Sequence, residues 1–157
     1  MKRIDTWNCA VAVGRERRMF TPEQANRSLV LVRRIVSDIV QEYSHLLDLQ
    51  EMIDAAQRAN SSPALAAARK DIVAVVETLR LCMQELEDIG VELKDWSLGI
   101  VDFPSIQGGR EVRLCWQNGE ECVGHWYEIG DDYVVRQAVE SYCGAEGVLA
   151  SRKQSTE

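Results

Sequence analysis

The chain has 157 residues, of which 46% are hydrophobic and 27% are charged, and its formal net charge is −7. This length suits one domain with a single hydrophobic core. The acidic balance disfavours non-specific binding to nucleic acid and to anionic membranes, because both require a basic surface. We therefore expect neither nucleic acid nor membrane among the partners.

The cysteines and the apolar runs predict a cytoplasmic protein. Five cysteines, an odd number without dense spacing, favour free thiols in a reducing compartment over a disulfide framework. No apolar run approaches the roughly 18 residues that span a bilayer, and the run from Cys9 to Val13 is too short for a signal-peptide core. Met19 stands just before the first helix signal, so residues 1–18 are interpreted as an optional, flexible arm.

Capping signals and heptad spacing predict two long helices. Thr21-Pro22-Glu23-Gln24 reads as a capping box with proline at the first helical position, and apolar residues then recur in steps of three and four as far as Ile53. Asn60-Ser61-Ser62-Pro63 interrupts the pattern, with Ser62 as the expected N-cap. A second repeat follows and ends at Gly90.

We predict helices over about residues 22–59 and 63–89, joined by a short loop into an antiparallel hairpin. The first helix is longer, and its overhang carries Leu29 and Val32. Some other apolar surface must cover this overhang. The apolar stripe of the first helix is also wider than a two-helix seam needs, which predicts a homodimer joined through the helices, as a four-helix arrangement. A further, unidentified protein partner stays open.

Two glycine dipeptides predict a three-stranded meander over about residues 98–104, 110–117 and 120–129. Gly108-Gly109 and Asn118-Gly119 both suit two-residue turns that need positive φ. The first turn would pair Asp102 with Cys115, and the second would pair Cys115 with Cys122. One face then collects apolar residues that can cover the helical overhang: Val101, Phe103, Val112, Leu114, Trp116, Val123, Tyr127 and Ile129, with His125 near its end.

The opposite, polar face of this predicted meander is the candidate site. With Arg136 just beyond it, the candidate residues are Asp102, Arg113, Cys115, Glu120, Cys122, Trp126, Glu128 and Arg136. The nearby carboxylate predicts high pKa values for the thiols, hence weak nucleophiles. The alternatives are a solvated sheet face with two half-buried thiols, or a site for a small molecule, a metal or a partner.

No metal or cofactor is predicted. In the predicted register His125 lies on the face opposite to Cys115 and Cys122, so a zinc site of the form Cys-x6-Cys-x2-His would lose its third ligand. The chain also lacks a Gly-rich phosphate loop, a His-Glu-x-x-His motif and a Gly-x-Ser-x-Gly motif. No catalytic residues can therefore be assigned, which disfavours an enzyme without excluding one.

Several motifs of the chain occur together in a known family. They are Phe-Thr-Pro-Glu-Gln-Ala-Asn at 20–26, Lys94-Asp95, Gly99 to Pro104, Leu114-Cys115-Trp116, Gly119-Glu120, Trp126 and Arg136-Gln137. In combination they resemble the bacterial family called domain of unknown function 2203, over about residues 19–139. The resemblance implies a small cytoplasmic protein and brings no established activity, substrate or cofactor.

The chain also departs from that family pattern. It has Tyr127 where the pattern has histidine, Asp132 and Val135 where it has glycines, and Ala138 where it has proline. If the family's histidine carries chemistry, Tyr127 weakens that chemistry here. His125, two residues away, would be an imperfect substitute.

The combined prediction is an α+β fold over residues 19–139, in which a long antiparallel helical hairpin packs with a three-stranded antiparallel β-meander. Residues 140–157 are small and polar and are predicted to be a disordered tail. The favoured function is a non-catalytic interaction or oligomerisation module built on the hairpin. The alternative is a small metal-binding protein or enzyme that uses the polar face around Asp102, Cys115 and Glu120.

Overall fold

The structure is a computed structural model that describes residues 16–131 and 135–139. In this part of the chain two helices are followed by an antiparallel sheet whose five strands lie in sequence order. The elements are α1 (Pro22–Arg58), α2 (Ser62–Ile89), β1 (Glu92–Asp95), β2 (Ile100–Gln107), β3 (Arg110–Gln117), β4 (His125–Glu128) and β5 (Gln137–Ala138). The predicted α+β class is confirmed, although β1 and β5 were not predicted. Most of the proposed arm and the whole proposed tail lie outside the described residues.

Both helices begin and end close to the predicted residues. At the start of α1 the Gln24 amide donates to Thr21 Oγ1 over 3.2 Å and the Thr21 amide donates to Gln24 Oε1 over 3.0 Å, which completes the capping box. Gly90 caps α2 in the left-handed conformation, at φ 96°. The N-cap of α2 is Ser61 rather than Ser62, and its side chain makes no capping hydrogen bond.

The sheet covers the N-terminal half of α1, as the overhang requires. Leu29, Val32 and Val36 share one buried core with residues from β2 and β3: Val101, Phe103, Leu114 and Trp116. Phe20, just before α1, meets Phe103 edge to face with ring centroids 5.2 Å apart. The apolar face of the sheet therefore packs on the helices, and its other face turns away from them.

The pairing of β2 with β3 follows the predicted register. Asp102 lies opposite Cys115, and Phe103 lies opposite Leu114. Gly108 and Gly109 both have positive φ, at 58° and 76°, as a type I′ turn requires. Here the two glycines alone determine the pairing.

The pairing of β3 with β4 differs from the prediction by three residues. Cys115 lies opposite His125 rather than Cys122, and Arg113 lies opposite Tyr127. Gly119 has φ 102°, but Asn60 is the only non-glycine residue with positive φ among the described residues. Asn118 therefore does not adopt the conformation of a type I′ turn, and the strands do not pair directly after it.

Residues 120–124 instead form a loop that is held against α1. Arg33 Nη2 donates to the Glu121 carbonyl over 2.7 Å. The amide side chain of Asn26 accepts from the Val123 amide over 2.8 Å and donates to the Val123 carbonyl over 3.2 Å. Val123 is fully buried. Because these contacts hold the loop on the helix, β4 begins only at His125.

Gly99, in the turn between β1 and β2, packs closely against α1, and a substitution there tests this contact. Its φ is 64°, and an added Cβ would lie 2.7 Å from Val36 Cγ1 and 2.9 Å from both Val40 Cγ2 and Asn118 Cβ. We expect Gly99→Ala to lower the free energy of unfolding by about 3 kcal/mol, because backbone strain and steric overlap add. Urea denaturation followed by circular dichroism measures this loss.

The matched control is Gly108→Ala. Gly108 also has positive φ, at 58°, but nothing lies within 4 Å of its added Cβ. The expected loss is about 1 kcal/mol, from the left-handed backbone alone. Equal losses in the two variants would contradict the close packing of Gly99 against α1.

Candidate functional site

The sheet face that turns away from the helices carries a polar cluster drawn from four strands. Side chains of directly opposed residues in an antiparallel pair lie on the same face. Glu92 pairs with Asp102, Asp102 with Cys115, and Cys115 with His125, so these four form one row across the sheet. Arg113 and Tyr127 form a neighbouring pair on the same face. We call this set, together with Lys94, the polar cluster.

The corrected register exchanges the two faces of β4, because a shift by an odd number of residues inverts every side chain. His125 and Tyr127, predicted on the apolar face, belong to the polar cluster. Trp126 and Glu128, predicted among the site residues, lie on the helix-facing side, opposite Leu114 and Val112. Trp126 packs against the core, and Glu128 pairs with Arg110 at 3.0 Å.

Glu120 and Arg136 join the cluster at its edge, whereas Cys122 does not. Arg136 Nη2 lies 2.7 Å from Glu120 Oε1, and the Arg136 side chain also hydrogen-bonds Cys115. Cys122 precedes β4 and is disulfide-bonded. Cys82 and Cys115 are free and buried. The expectation of free thiols therefore holds for those two cysteines and is wrong for Cys122.

Asp102 is the centre of the polar cluster. It is fully buried, and the Tyr127 hydroxyl donates a hydrogen bond to its Oδ2. Lys94 Nζ lies 3.6 Å from the same oxygen. Burial raises the pKa of Asp102, and this effect exceeds the lowering by Tyr127, Lys94 and Arg113.

The neighbouring thiol and phenol are held in their neutral forms. Burial raises the pKa of Cys115 to about 11, although Arg136 opposes the shift. Burial also raises the pKa of Tyr127, and its hydrogen bond to Asp102 raises it further. Cys115 is therefore a poor nucleophile at neutral pH, as the sequence predicts, and Tyr127 remains a hydrogen-bond donor.

A network of carboxylates compensates the charge of Arg113. Arg113 is only 8% exposed. Its Nη1 lies 3.5 Å from Glu92 Oε1 and its Nη2 lies 4.0 Å from Glu111 Oε1. Arg17 contacts the same two carboxylates, at 3.1 Å and 3.0 Å. The buried guanidinium thus has charge partners, although none of them is at ideal distance.

Three buried polar atoms of the cluster lack hydrogen-bond partners in the described part of the chain. They are Asp102 Oδ1, Arg113 Nη1 and His125 Nδ1. Native proteins satisfy about nine in ten or more of their buried polar groups, so three such atoms on one sheet face require an explanation. The sequence did not predict His125, Tyr127 and Lys94 as site residues. The first two depend on the register of β3 against β4, and Lys94 depends on β1.

Neither a metal-ligand group nor a membrane-spanning helix is present in residues 16–131 and 135–139. No three histidine, cysteine, aspartate or glutamate side chains are grouped so as to hold a metal ion. No helix in this part of the chain is both long enough and apolar enough to span a bilayer.

Because Asp102 is buried, its contribution to the free energy of unfolding should depend on pH. Burial raises its pKa in the folded protein, whereas in the unfolded chain the pKa is about 3.9. As pH rises, the unfolded chain loses this proton first, which favours unfolding until the folded pKa is passed. The difference in unfolding free energy, wild type minus Asp102→Asn, should therefore be largest near pH ~3 and fall as pH rises.

Urea denaturation of both proteins across the acid and neutral range measures this difference. Carboxylates that the two proteins share cancel in the subtraction. Either of two other results would contradict the raised pKa. A constant difference would mean that folding leaves the pKa of Asp102 unchanged, and a difference that grows with pH would mean that the folded environment favours the ionised form.

Comparison with known proteins places the chain in a family. No curated protein and no solved structure matches it. The family model described as "Uncharacterized conserved protein (DUF2203)" matches residues 18–139, which include both helices, all five strands and the polar cluster. That description names no activity. The chain belongs to the DUF2203 family.

Proposed function

We propose that the protein is a non-catalytic assembly module that forms a homodimer through its helical hairpin. The observation that carries the proposal is an apolar surface on the half of the hairpin near the α1–α2 loop, which the sheet does not cover. This distal apolar surface consists of the exposed residues Leu47 on α1 and Val76 on α2, with the half-buried Leu65 and Ile72 of α2 beside them.

On α1, the cover provided by the sheet ends at Tyr43. Val36 and Val40 adjoin Gly99 of the sheet, and the Tyr43 ring lies 5.9 Å from the ring of Trp96. Leu47 follows Tyr43 by one turn, on the same side of the helix. It is nevertheless 44% exposed. Leu47 therefore continues an apolar stripe beyond the end of its cover.

On α2, the corresponding stripe has the spacing of seven, four and seven residues, from Leu65 through Ile72 and Val76 to Met83. Ile72 and Met83 pack against the core, whereas Val76 is 44% exposed. In an antiparallel hairpin, residues equally far from the loop lie side by side. Leu47 is therefore level with Ile72 and Val76.

A second copy of the chain is the occupant that this surface favours. Two helices form a single layer and cannot bury apolar side chains on its open side, whereas two hairpins related by a two-fold axis form a four-helix arrangement. Asp54 follows Leu47 by seven residues, and Arg69 follows Leu65 by four. Both are exposed, so the surface carries a negative charge on α1 and a positive charge on α2. Opposite charges of this kind can pair between two copies of the chain.

Ligand binding by the polar cluster is a second candidate function. It concerns the same face, around Asp102, Cys115 and Glu120, for which the sequence suggested a metal-binding or enzyme role. The three buried atoms without hydrogen-bond partners favour it.

The homodimer is tested by Val76→Lys. A lysine in the centre of the distal apolar surface would place two like charges across the two-fold axis, so we expect the dimer dissociation constant to rise at least ~100-fold, equivalent to about 2.7 kcal/mol. Sedimentation equilibrium at micromolar concentration should give twice the chain mass of 17.7 kDa for the wild type and about once that mass for the variant.

Val30→Lys is the matched control. Val30 is 76% exposed on α1, about 120° around the helix from the sheet-facing Val36. This variant should remain a dimer. A monomeric wild type, or a Val76→Lys variant that associates like the wild type, would rule out the proposal.

A further inference from the structure

We propose that the polar cluster binds a small neutral molecule through a planar edge that carries a hydrogen-bond acceptor beside a donor, as a primary amide does. This site is independent of the proposed dimer, because it lies on the sheet face that turns away from the hairpin.

Two of these atoms have complementary requirements. Among the described residues, Arg113 Nη1 makes no hydrogen bond, although Glu92 Oε1 lies 3.5 Å away. Asp102 Oδ1 also has no hydrogen-bond partner there, and its side chain is fully buried. Tyr127 already donates to the other carboxylate oxygen. An ionised Oδ1 therefore needs a donor. A ligand that satisfies both atoms must present an acceptor to Arg113 and a donor to Asp102.

One ligand group can serve both atoms because the two residues are diagonal neighbours. Asp102 lies opposite Cys115 on β3, and Arg113 is two residues from Cys115 on the same strand and face. Diagonal neighbours in an antiparallel sheet are within reach of long side chains such as arginine. The carbonyl and N–H₂ groups of an amide have the matching planar arrangement.

The charge balance of the face favours a neutral ligand. Glu92 and Glu111 lie beside the Arg113 guanidinium, and Lys94 lies 3.6 Å from Asp102. An anion would meet the carboxylates, and a cation would meet Arg113 and Lys94. Neither would find an uncompensated charge of opposite sign.

His125 and Lys94 indicate the extent of the site and its approach. His125 Nδ1 is the third unsatisfied atom, on β4, two strand spacings or about 10 Å from β2. A molecule of one ring with an amide substituent spans that distance. Lys94 is 48% exposed along its side chain and approaches Asp102 without a hydrogen bond, so it can swing aside to admit a ligand.

The test uses three probes of one shape: benzamide, benzoate and benzylamine. Two-dimensional ¹H–¹⁵N spectra of the full chain, recorded at pH about 8, report binding at the backbone amides of Asp102, Arg113 and His125. Benzamide should give saturable shifts at these positions with a dissociation constant in the millimolar range, as suits a fragment of this size. Benzoate and benzylamine should bind at least ~10-fold more weakly, because each loses one hydrogen bond and meets a like charge.

The variant Asp102→Asn makes the readout specific to this geometry. Tyr127 keeps the side-chain oxygen as its acceptor, so an N–H₂ group stands where Oδ1 stood. The preference should then reverse, with benzoate binding better than benzamide. Asp131→Asn, an exposed carboxylate beyond β4, should behave as the wild type.

Two results would overturn the inference. Absence of saturable benzamide shifts in the wild type would mean that ordered water satisfies these atoms. An unchanged preference in Asp102→Asn would mean that the probe binds elsewhere. The wild-type ranking of the three probes stands as a test even if the variant does not fold.

Discussion

The Asn26 side chain holds a loop on a helix, and the arrangement of the polar sheet face depends on this contact. Its amide group accepts from the Val123 amide and donates to the Val123 carbonyl, so it acts as a strand partner for one residue. With Val123 buried and Glu121 held by Arg33, the chain cannot turn back immediately after Gly119. β4 then begins at His125, and its side chains alternate from that position.

This arrangement places a carboxylate, a phenol, a guanidinium and a thiol in the interior of a small domain. Burying Asp102 and Arg113 costs solvation free energy, which Tyr127, Lys94, Glu92 and the other charges offset only in part. The raised pKa of Asp102 reflects that incomplete compensation. A face that served packing alone would carry apolar residues at these positions, and this contrast supports a binding role for the polar cluster.

Local signals were sufficient for much of the fold. The capping box at Thr21 and the Gly90 cap are each contained within a few residues, and the heptad spacing repeats along a single helix, so both helices could be predicted. The same holds for Gly108-Gly109, because two glycines at positive φ determine the register of β2 and β3 without outside help. The pairing of Asp102 with Cys115, and with it the place of Arg113 two residues along the same strand, follows from that turn.

The second half of the sheet depends on contacts that are distant in sequence. Asn118-Gly119 looks like a second tight turn, but Asn26, 97 residues away from Val123, decides where the next strand starts. The predicted register was wrong by three residues, an odd number. His125, Tyr127, Trp126 and Glu128 were therefore all assigned to the wrong face of the sheet. β1 was missed because Glu-Leu-Lys-Asp is short and charged, and its strand character comes from pairing with β2. Two-residue β5 carries no sequence signal of its own.

Measuring the register of β3 against β4 tests most directly whether the polar cluster exists. Cross-strand nuclear Overhauser effects in the uniformly ¹³C,¹⁵N-labelled protein would connect backbone protons of Cys115 with those of His125, and those of Arg113 with those of Tyr127. Connections between Cys115 and Cys122 would instead show that the strands pair directly after Gly119. In that case Tyr127 would face the helices, and the polar cluster around Asp102 would not exist.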